Sequence, residues 1–298
     1  MNNTSETAVC ANCGKEGSDV TNTCNKFKAV MYCNAACKKK HRSKHKKACE
    51  RRVAEMHDEK LFKQPPPLED CEICFLTMPS LKTGYKYNAC CGKRACSGCI
   101  YANATKLNDD DLCPFCRTPA PTTQKGIVER LEKRIKVNDA IALFGLGCIY
   151  SEGQFGFPQN YEKALELWQW AGELGHAESY YNIGNAYLIG RGVQRDMKKA
   201  VYYWEQAAIL GHGGGRHNLG VHEKGECNMD RALKHYMISV KDGNKMSLDA
   251  IKELYMKGYA TKDDYTKALQ SYQKYLGEIK SSQRDEAAAF DRDHYRYY

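Results

Sequence analysis

Three things are scarce in this chain of 298 residues. Long apolar stretches are the first. No uncharged run is longer than Ala140 to Ser151, which falls far short of the ~20 apolar residues that cross a bilayer, so no membrane span is expected. An apolar leader is the second: Met1 to Val9 is polar with no apolar core, so no secretory signal is expected. The third is cysteine beyond the first 116 residues. Fourteen of the sixteen cysteines come earlier, and only Cys148 and Cys227 follow. That clustering, at C-x2-C spacing, argues for metal rather than disulfides. It also favours a reducing compartment, the cytoplasm or nucleus. What is present is an ordinary globular balance of 42% hydrophobic and 27% charged residues, with room for two or three domains.

The densest chemistry lies between Cys71 and Cys116. The stretch reads C-E-I-C, then C-C-G-K-R-A-C-S-G-C, then C-P-F-C-R. Its eight cysteines form four pairs: Cys71/Cys74, Cys90/Cys91, Cys96/Cys99 and Cys113/Cys116. Thiolates with two residues between them reach a common ion across a tight turn, and two such pairs complete a tetrahedral zinc site. Eight ligands therefore predict two zincs.

This stretch resembles a RING finger. The resemblance implies interleaved pairs, with Cys71, Cys74, Cys96 and Cys99 on one ion and Cys90, Cys91, Cys113 and Cys116 on the other. Two metals would then staple a segment too short for a sufficient core. The family's usual histidine falls near Lys93, which cannot replace it as a ligand, so adjacent Cys90 and Cys91 are expected to supply both. The resemblance also implies a contact surface for a ubiquitin-conjugating enzyme. Ile73 and Pro114 would line it, and Arg117 would stand where many active fingers bridge to ubiquitin. The family often carries an aromatic or leucine on the following helix, and Ile100 and Tyr101 lie near that position.

Upstream, Cys10-x2-Cys13 is followed by Cys24, by Y-C-N-A-A-C with Cys33 and Cys37, and by a basic run holding His41, His45 and Cys49. Residues four apart share a helix face, so His45 and Cys49 can chelate one ion. The pattern resembles a MYND finger, which implies a complete site of Cys10, Cys13, Cys33 and Cys37. A second site, Cys24, His45 and Cys49, lacks a ligand because Phe27 stands where a cysteine belongs. His41 as fourth ligand, water as fourth ligand, and no metal at all stay open, so three or four zincs are expected. The family implies binding of a proline-containing peptide.

Lys38 to Arg52 carries nine Lys/Arg. A solvated helix face is favoured there over a nucleic-acid patch. The formal charge of +9 also overstates the basicity. Each tetrathiolate zinc site is a net dianion, which brings the metallated chain to about +3.

Beyond the fingers, phrases recur at a period near 36. K-A-L-E-L-W at 163 returns as K-A-V-Y-Y-W at 199, R-A-L-K-H-Y at 231 and K-A-L-Q-S-Y at 267. L-G-C-I-Y, I-G-N-A-Y and L-G-V-H precede the first three, and Gly175, Gly211 and Gly243 close them. Each unit predicts a helix pair that must stack on its neighbours to bury a face. Small residues would mark the close crossings, with Trp168, Trp204, Tyr236 and Tyr272 filling the space between. The array, including G-R-G-V-Q-R-D at Gly190 to Asp196, resembles the SEL-one-like repeat, a relative of the tetratricopeptide repeat. That resemblance implies a scaffold for a protein partner. His176 and His212 recur at repeat starts, so repeat chemistry is expected there rather than a metal site.

The expected fold is multidomain: two small zinc-stabilised cross-brace fingers followed by an all-α helical-repeat solenoid. The layout is a MYND-like finger (1–63), proline linker (64–70), RING-like finger (71–117), linker and capping helix (118–137), repeats (138–281) and a charged tail (282–298) expected as a frayed helix and a loose end. The expected function is a ubiquitin ligase or ligase subunit whose solenoid recruits a partner. A non-catalytic zinc adaptor is the alternative, and a nucleic-acid regulator the least favoured.

Overall fold

A computed structural model describes residues 8–14, 16–17, 20–24, 30–80, 84–107 and 112–297. The chain divides into two compact units, Met1–Lys63 and Gln64–Tyr298.

The first unit is a small cysteine-rich sheet joined to one long helix. Strands β1 (Asn22–Thr23) and β2 (Met31–Tyr32) pair antiparallel, with Asn22 opposite Tyr32. Cys10, Val20 and Tyr32 form the buried core. Helix α1 (Ala35–Leu61) starts at Asn34, whose side chain accepts the Cys37 N–H at 2.8 Å. Only Cys49, one of the candidate ligands, and Leu61, at the far end, are buried among its 27 residues.

The second unit opens with the central cysteine module. Strands β3 (Tyr85–Asn88) and β4 (Lys93–Cys96) form a hairpin, and helix α2 (Ser97–Leu107) follows. Two further turns hold the outer cysteine pairs, closed by bridges Asp70↔Thr77 and Leu112↔Pro119. In each turn the residue after the second cysteine is left-handed, Phe75 at φ 55° and Arg117 at φ 59°. Its N–H bonds the carbonyl of the first cysteine, at 2.8 Å for Phe75 and 3.0 Å for Arg117. Gly14 does the same over Cys10 at 2.9 Å. A left-handed Phe and Arg are strained for L-residues, and the paired cysteines on either side fix that geometry.

Helix α3 (Gln124–Ile135) buries Val128 and Leu131 against the first repeat. Four helix pairs follow: α4 (Ala140–Glu152) with α5 (Tyr161–Glu173), α6 (Ala177–Ile189) with α7 (Met197–Ile209), α8 (Gly213–Gly225) with α9 (Met229–Ser239), and α10 (Lys245–Met256) with α11 (Lys262–Ile279). The pairs close on a recurring contact. A Cβ on Gly147 would sit 2.6 Å from Trp168, one on Gly184 2.5 Å from Trp204, and one on Gly220 2.4 Å from Tyr236. Only glycine lets those aromatics pass so near. The fourth pair has no such glycine, and Tyr272 is half-buried against the cluster around Ile251 and Leu254 rather than enclosed. His176 and His212 occupy helix N-caps, and the His212 ring accepts the Gly215 N–H at 2.9 Å.

The tail is helical as expected but packed rather than loose. Helix α12 (Ser282–Phe290) and the short α13 (Arg292–Tyr295) pack back on the unit, burying Arg284, Ala287 and Tyr297. The charged composition misled because the burial is made by a few residues with partners more than 200 positions away. The proline segment also makes contacts within the second unit. Leu68 packs with Tyr275, Ile279 and Tyr297, and Gln64 accepts from Lys241 at 3.0 Å. Among the described residues no helix is long and apolar enough to cross a membrane.

The central module is bonded to both ends of the repeat array. On one side the Tyr87 hydroxyl donates to Asp139 at 2.8 Å, and Arg134 donates to the same carboxylate at 2.9 Å. On the other, Ser80 bonds the Tyr275 hydroxyl at 2.7 Å, and the Tyr101 ring meets Phe290 and Tyr295.

Candidate metal centres

Four groups of donor atoms converge, each within 4.8 Å: Cys10/Cys13/Cys33/Cys37, Cys71/Cys74/Cys96/Cys99, Cys90/Cys91/Cys113/Cys116 and Cys24/His45/Cys49. These are the pairings implied by the interleaved arrangement. Zinc fits them. A tetrahedron with Zn–S bonds of about 2.3 Å has S–S edges of about 3.8 Å. The sulfurs lie 3.7 Å apart at Cys13/Cys33 and Cys74/Cys96, 3.8 Å at Cys91/Cys113, 3.9 Å at Cys71/Cys99 and 3.6 Å at Cys24/Cys49. Adjacent Cys90 and Cys91 both take part, with Cys116 3.4 Å from Cys90.

The thiols also show why a cation belongs there. Hydrogen bonds from Cys96 and Cys99 pull the Cys71 thiol well below its usual range, while Cys71, Cys96 and burial push Cys99 far up. Burial, then Cys37, pushes Cys33 up to about 12. The Thr118 hydroxyl and backbone hold Cys116 down to about 6. Within a cluster one sulfur can ionise early and its neighbours resist. A divalent ion removes that conflict and deprotonates the set.

The incomplete site keeps its three donors together but leaves His41 outside them. The His41 Nδ1 is 3.2 Å from the Tyr32 hydroxyl, and its ring stacks on His45 at 5.8 Å. Phe27, which stands in place of the expected cysteine, lies outside the described residues.

On the central module, Ile73 is 40% and Phe75 76% exposed, while Pro114 is half-buried and Arg117 exposed. Lys93 links the two turns that carry them. Its ammonium is 2.7 Å from Glu72 and 5.2 Å from the centre of the Phe115 ring. The residue that could not replace a ligand thus reaches both turns. Ile100 packs into the module's core, whereas Tyr101 faces the C-terminal helices. Neither Lys93 as a bridge nor Arg284 beneath the first turn was legible from spacing alone. Both depend on long-range contacts that carry no local spacing.

Known proteins support part of this picture. The MYND finger model matches residues 10–49, and the Sel1 repeat model matches 140–176 and 177–212. The chain therefore holds a MYND-type zinc finger and a Sel1-like, tetratricopeptide-related repeat region, with a further cysteine-rich module between them. It is 35% identical over 71 residues to the E3 ubiquitin-protein ligase GW2 of Oryza sativa, subspecies indica and japonica alike. That match takes in 23% of this chain and 16% of the relative, so the chain spans about a sixth of the curated proteins it matches. Among solved structures, a Sel1 repeat protein from Oxalobacter formigenes aligns at 24% identity and TM-score 0.46 over 61% of this chain and 69% of its own. A protective antigen of uropathogenic Escherichia coli with an SLR fold aligns at 23% identity and TM-score 0.44, over 55% and 36%.

Proposed function

We propose that this chain is a zinc-binding RING-type ubiquitin ligase or ligase subunit, with its repeat array recruiting a protein partner. The observation that carries the reading is the exposed apolar pair Ile73 and Phe75 beside the Pro114 turn, on a module whose two cysteine centres interleave. A conjugating enzyme would dock there. Arg117, exposed after the last cysteine, would hold the donor ubiquitin in one orientation while a substrate lysine attacks the thioester. The rate gain would come from positioning, with no covalent step on this chain. Zinc, when bound, fixes the two turns. Lys93 reaches both, and the apolar side chains supply the contact. Partial identity to a plant protein named as an E3 ubiquitin-protein ligase supports the same reading.

The test is reconstituted ubiquitin transfer with a panel of conjugating enzymes, comparing the intact chain with Ile73→Ala and Arg117→Ala. Chains made by the parent and lost in both variants support the proposal. No transfer with any enzyme, from zinc-loaded protein, favours a non-catalytic adaptor that uses the same fingers and array to join proteins.

A further inference from the structure

Arg284 is wholly enclosed, on the first turn of α12, yet among the described residues no carboxylate is bonded to it. Its Nη1 donates to the carbonyls of Thr77 at 2.8 Å and Ile279 at 2.5 Å. Its Nη2 donates to the Leu76 carbonyl at 3.4 Å and lies 4.0 Å from the Cys74 sulfur. The Nε is buried without a hydrogen-bond partner. A buried cation satisfied only by neutral carbonyls is strongly unfavourable unless negative charge stands near. The adjacent negative charge is that of Cys71, Cys74, Cys96 and Cys99. Four thiolates around a divalent ion form a net dianion.

The surrounding contacts seat the helix against this centre. Leu76 and Thr77 belong to the turn that closes over Cys71, where the Cys71 N–H bonds the Leu76 carbonyl at 2.9 Å. Gly98, between ligand candidates Cys96 and Cys99, has no room for a side chain because the Arg284 backbone nitrogen would lie 2.9 Å from its Cβ. Tyr101 packs on Phe290 and Tyr295, and the buried Tyr297 bonds Asp285.

We propose that Arg284 is the outer-sphere counter-charge of the Cys71/Cys74/Cys96/Cys99 centre, so that metal occupancy there and docking of the C-terminal helix stabilise one another. Arg284 is a positioning residue: it acts on the metal through Cys74 and on the turn through two carbonyls. Linkage makes the effect reciprocal, since whatever the metal adds to docking, docking adds to metal affinity. The inference rests on the metal reading of that cluster and does not depend on ubiquitin transfer.

The test uses the full chain with Arg284→Met, which keeps the length and apolar stem, and Arg284→Lys, which restores a cation. Zinc is counted per chain, its release to a chelator is timed, and amide exchange is followed over residues 282–290. One zinc equivalent should leave about 10-fold or more faster from the Met variant, the usual scale for loss of an outer-sphere partner, while the Lys variant recovers part of the difference. Chelation of the parent should expose the amides of α12. Parent-like release from the Met variant overturns the proposal, as does α12 protection that survives metal loss. A Lys variant no better than Met also overturns it, because packing alone would then account for Arg284. Should the Met variant fail to fold, release from the Lys variant and exchange in the chelated parent still decide. A parent whose zinc count is unchanged by Cys71→Ser overturns the metal reading and this inference together.

Discussion

Removing the Asp139 carboxylate should loosen the central module from the repeat array. Its side chain is only 10% exposed and serves three groups at once. It caps α4 by accepting the Ile141 N–H at 3.1 Å and the Ala142 N–H at 3.3 Å. It accepts the Tyr87 hydroxyl at 2.8 Å and Arg134 Nε at 2.9 Å. Burial works to raise the Asp139 carboxyl, but these bonds outweigh it and hold it below the usual carboxylate range. Loss of a helix cap is worth about 1 kcal/mol. Each hydrogen bond to a charged group is worth about 1.5–3 kcal/mol. Arg134 is 30% exposed and can rehydrate, whereas Tyr87 is pinned in the hairpin and regains little. Asp139→Ala should therefore weaken the local structure by about 3–4 kcal/mol, and Asp139→Asn, which keeps an acceptor, by about half that. Amide exchange on the zinc-loaded chain reads this directly, as a rise of about 100-fold or more in both β3 and α4 for the Ala variant. Faster exchange in α4 with β3 unchanged would refute the reasoning, because the carboxylate would then be only a cap.

Gly184→Ala places a methyl 2.5 Å from Trp204 and should destabilise the array by about 1–3 kcal/mol, seen as a lower apparent Tm. Trp204→Ala, which empties a site only 3% exposed, should lower it further, by about 3–5 kcal/mol, and in the array's exchange rates before the fingers'. Glu253, bonded by Lys224 at 2.6 Å and Lys257 at 2.7 Å, is held down to about 2 by those bonds. Its contribution is present above the ordinary carboxylate range and is lost as pH falls toward 2. Glu253→Gln should accordingly lower the apparent Tm slightly at pH 7 in low salt, with the difference fading in about 1 M salt because the pair is exposed.

What was legible in the sequence was whatever has a local spacing. Cysteine pairs set the donor clusters, because a C-x2-C turn aims both sulfurs the same way whatever surrounds it. The repeat phrases set the helix pairs, and Gly147, Gly184 and Gly220 paired with Trp168, Trp204 and Tyr236 as a small-against-large crossing requires. The fourth pair broke the rule at the point where the glycine was missing, leaving Tyr272 half-buried. Contacts between distant segments were not legible. Nothing in T-P-A-P-T-T-Q announces that Arg134, on the helix after it, bonds the same Asp139 carboxylate that accepts Tyr87. Nothing in Q-R-D-E-A-A-A-F announces that one arginine enters the first cysteine turn. Charge composition predicted a loose tail there, since it averages over residues while burial is decided by single ones. The place of His41 was not legible either: its Nδ1 lies 3.2 Å from the Tyr32 hydroxyl, and the convergent donors are Cys24, His45 and Cys49.

The most direct measurement is the number of zinc ions per intact chain, by native mass spectrometry, alongside Cys13→Ser, Cys71→Ser and Cys113→Ser. The convergent clusters predict three or four in the parent and the loss of one in each variant. Two or fewer in the parent, or a variant that keeps the full number, would contradict the cross-braced arrangement on which the proposed function stands.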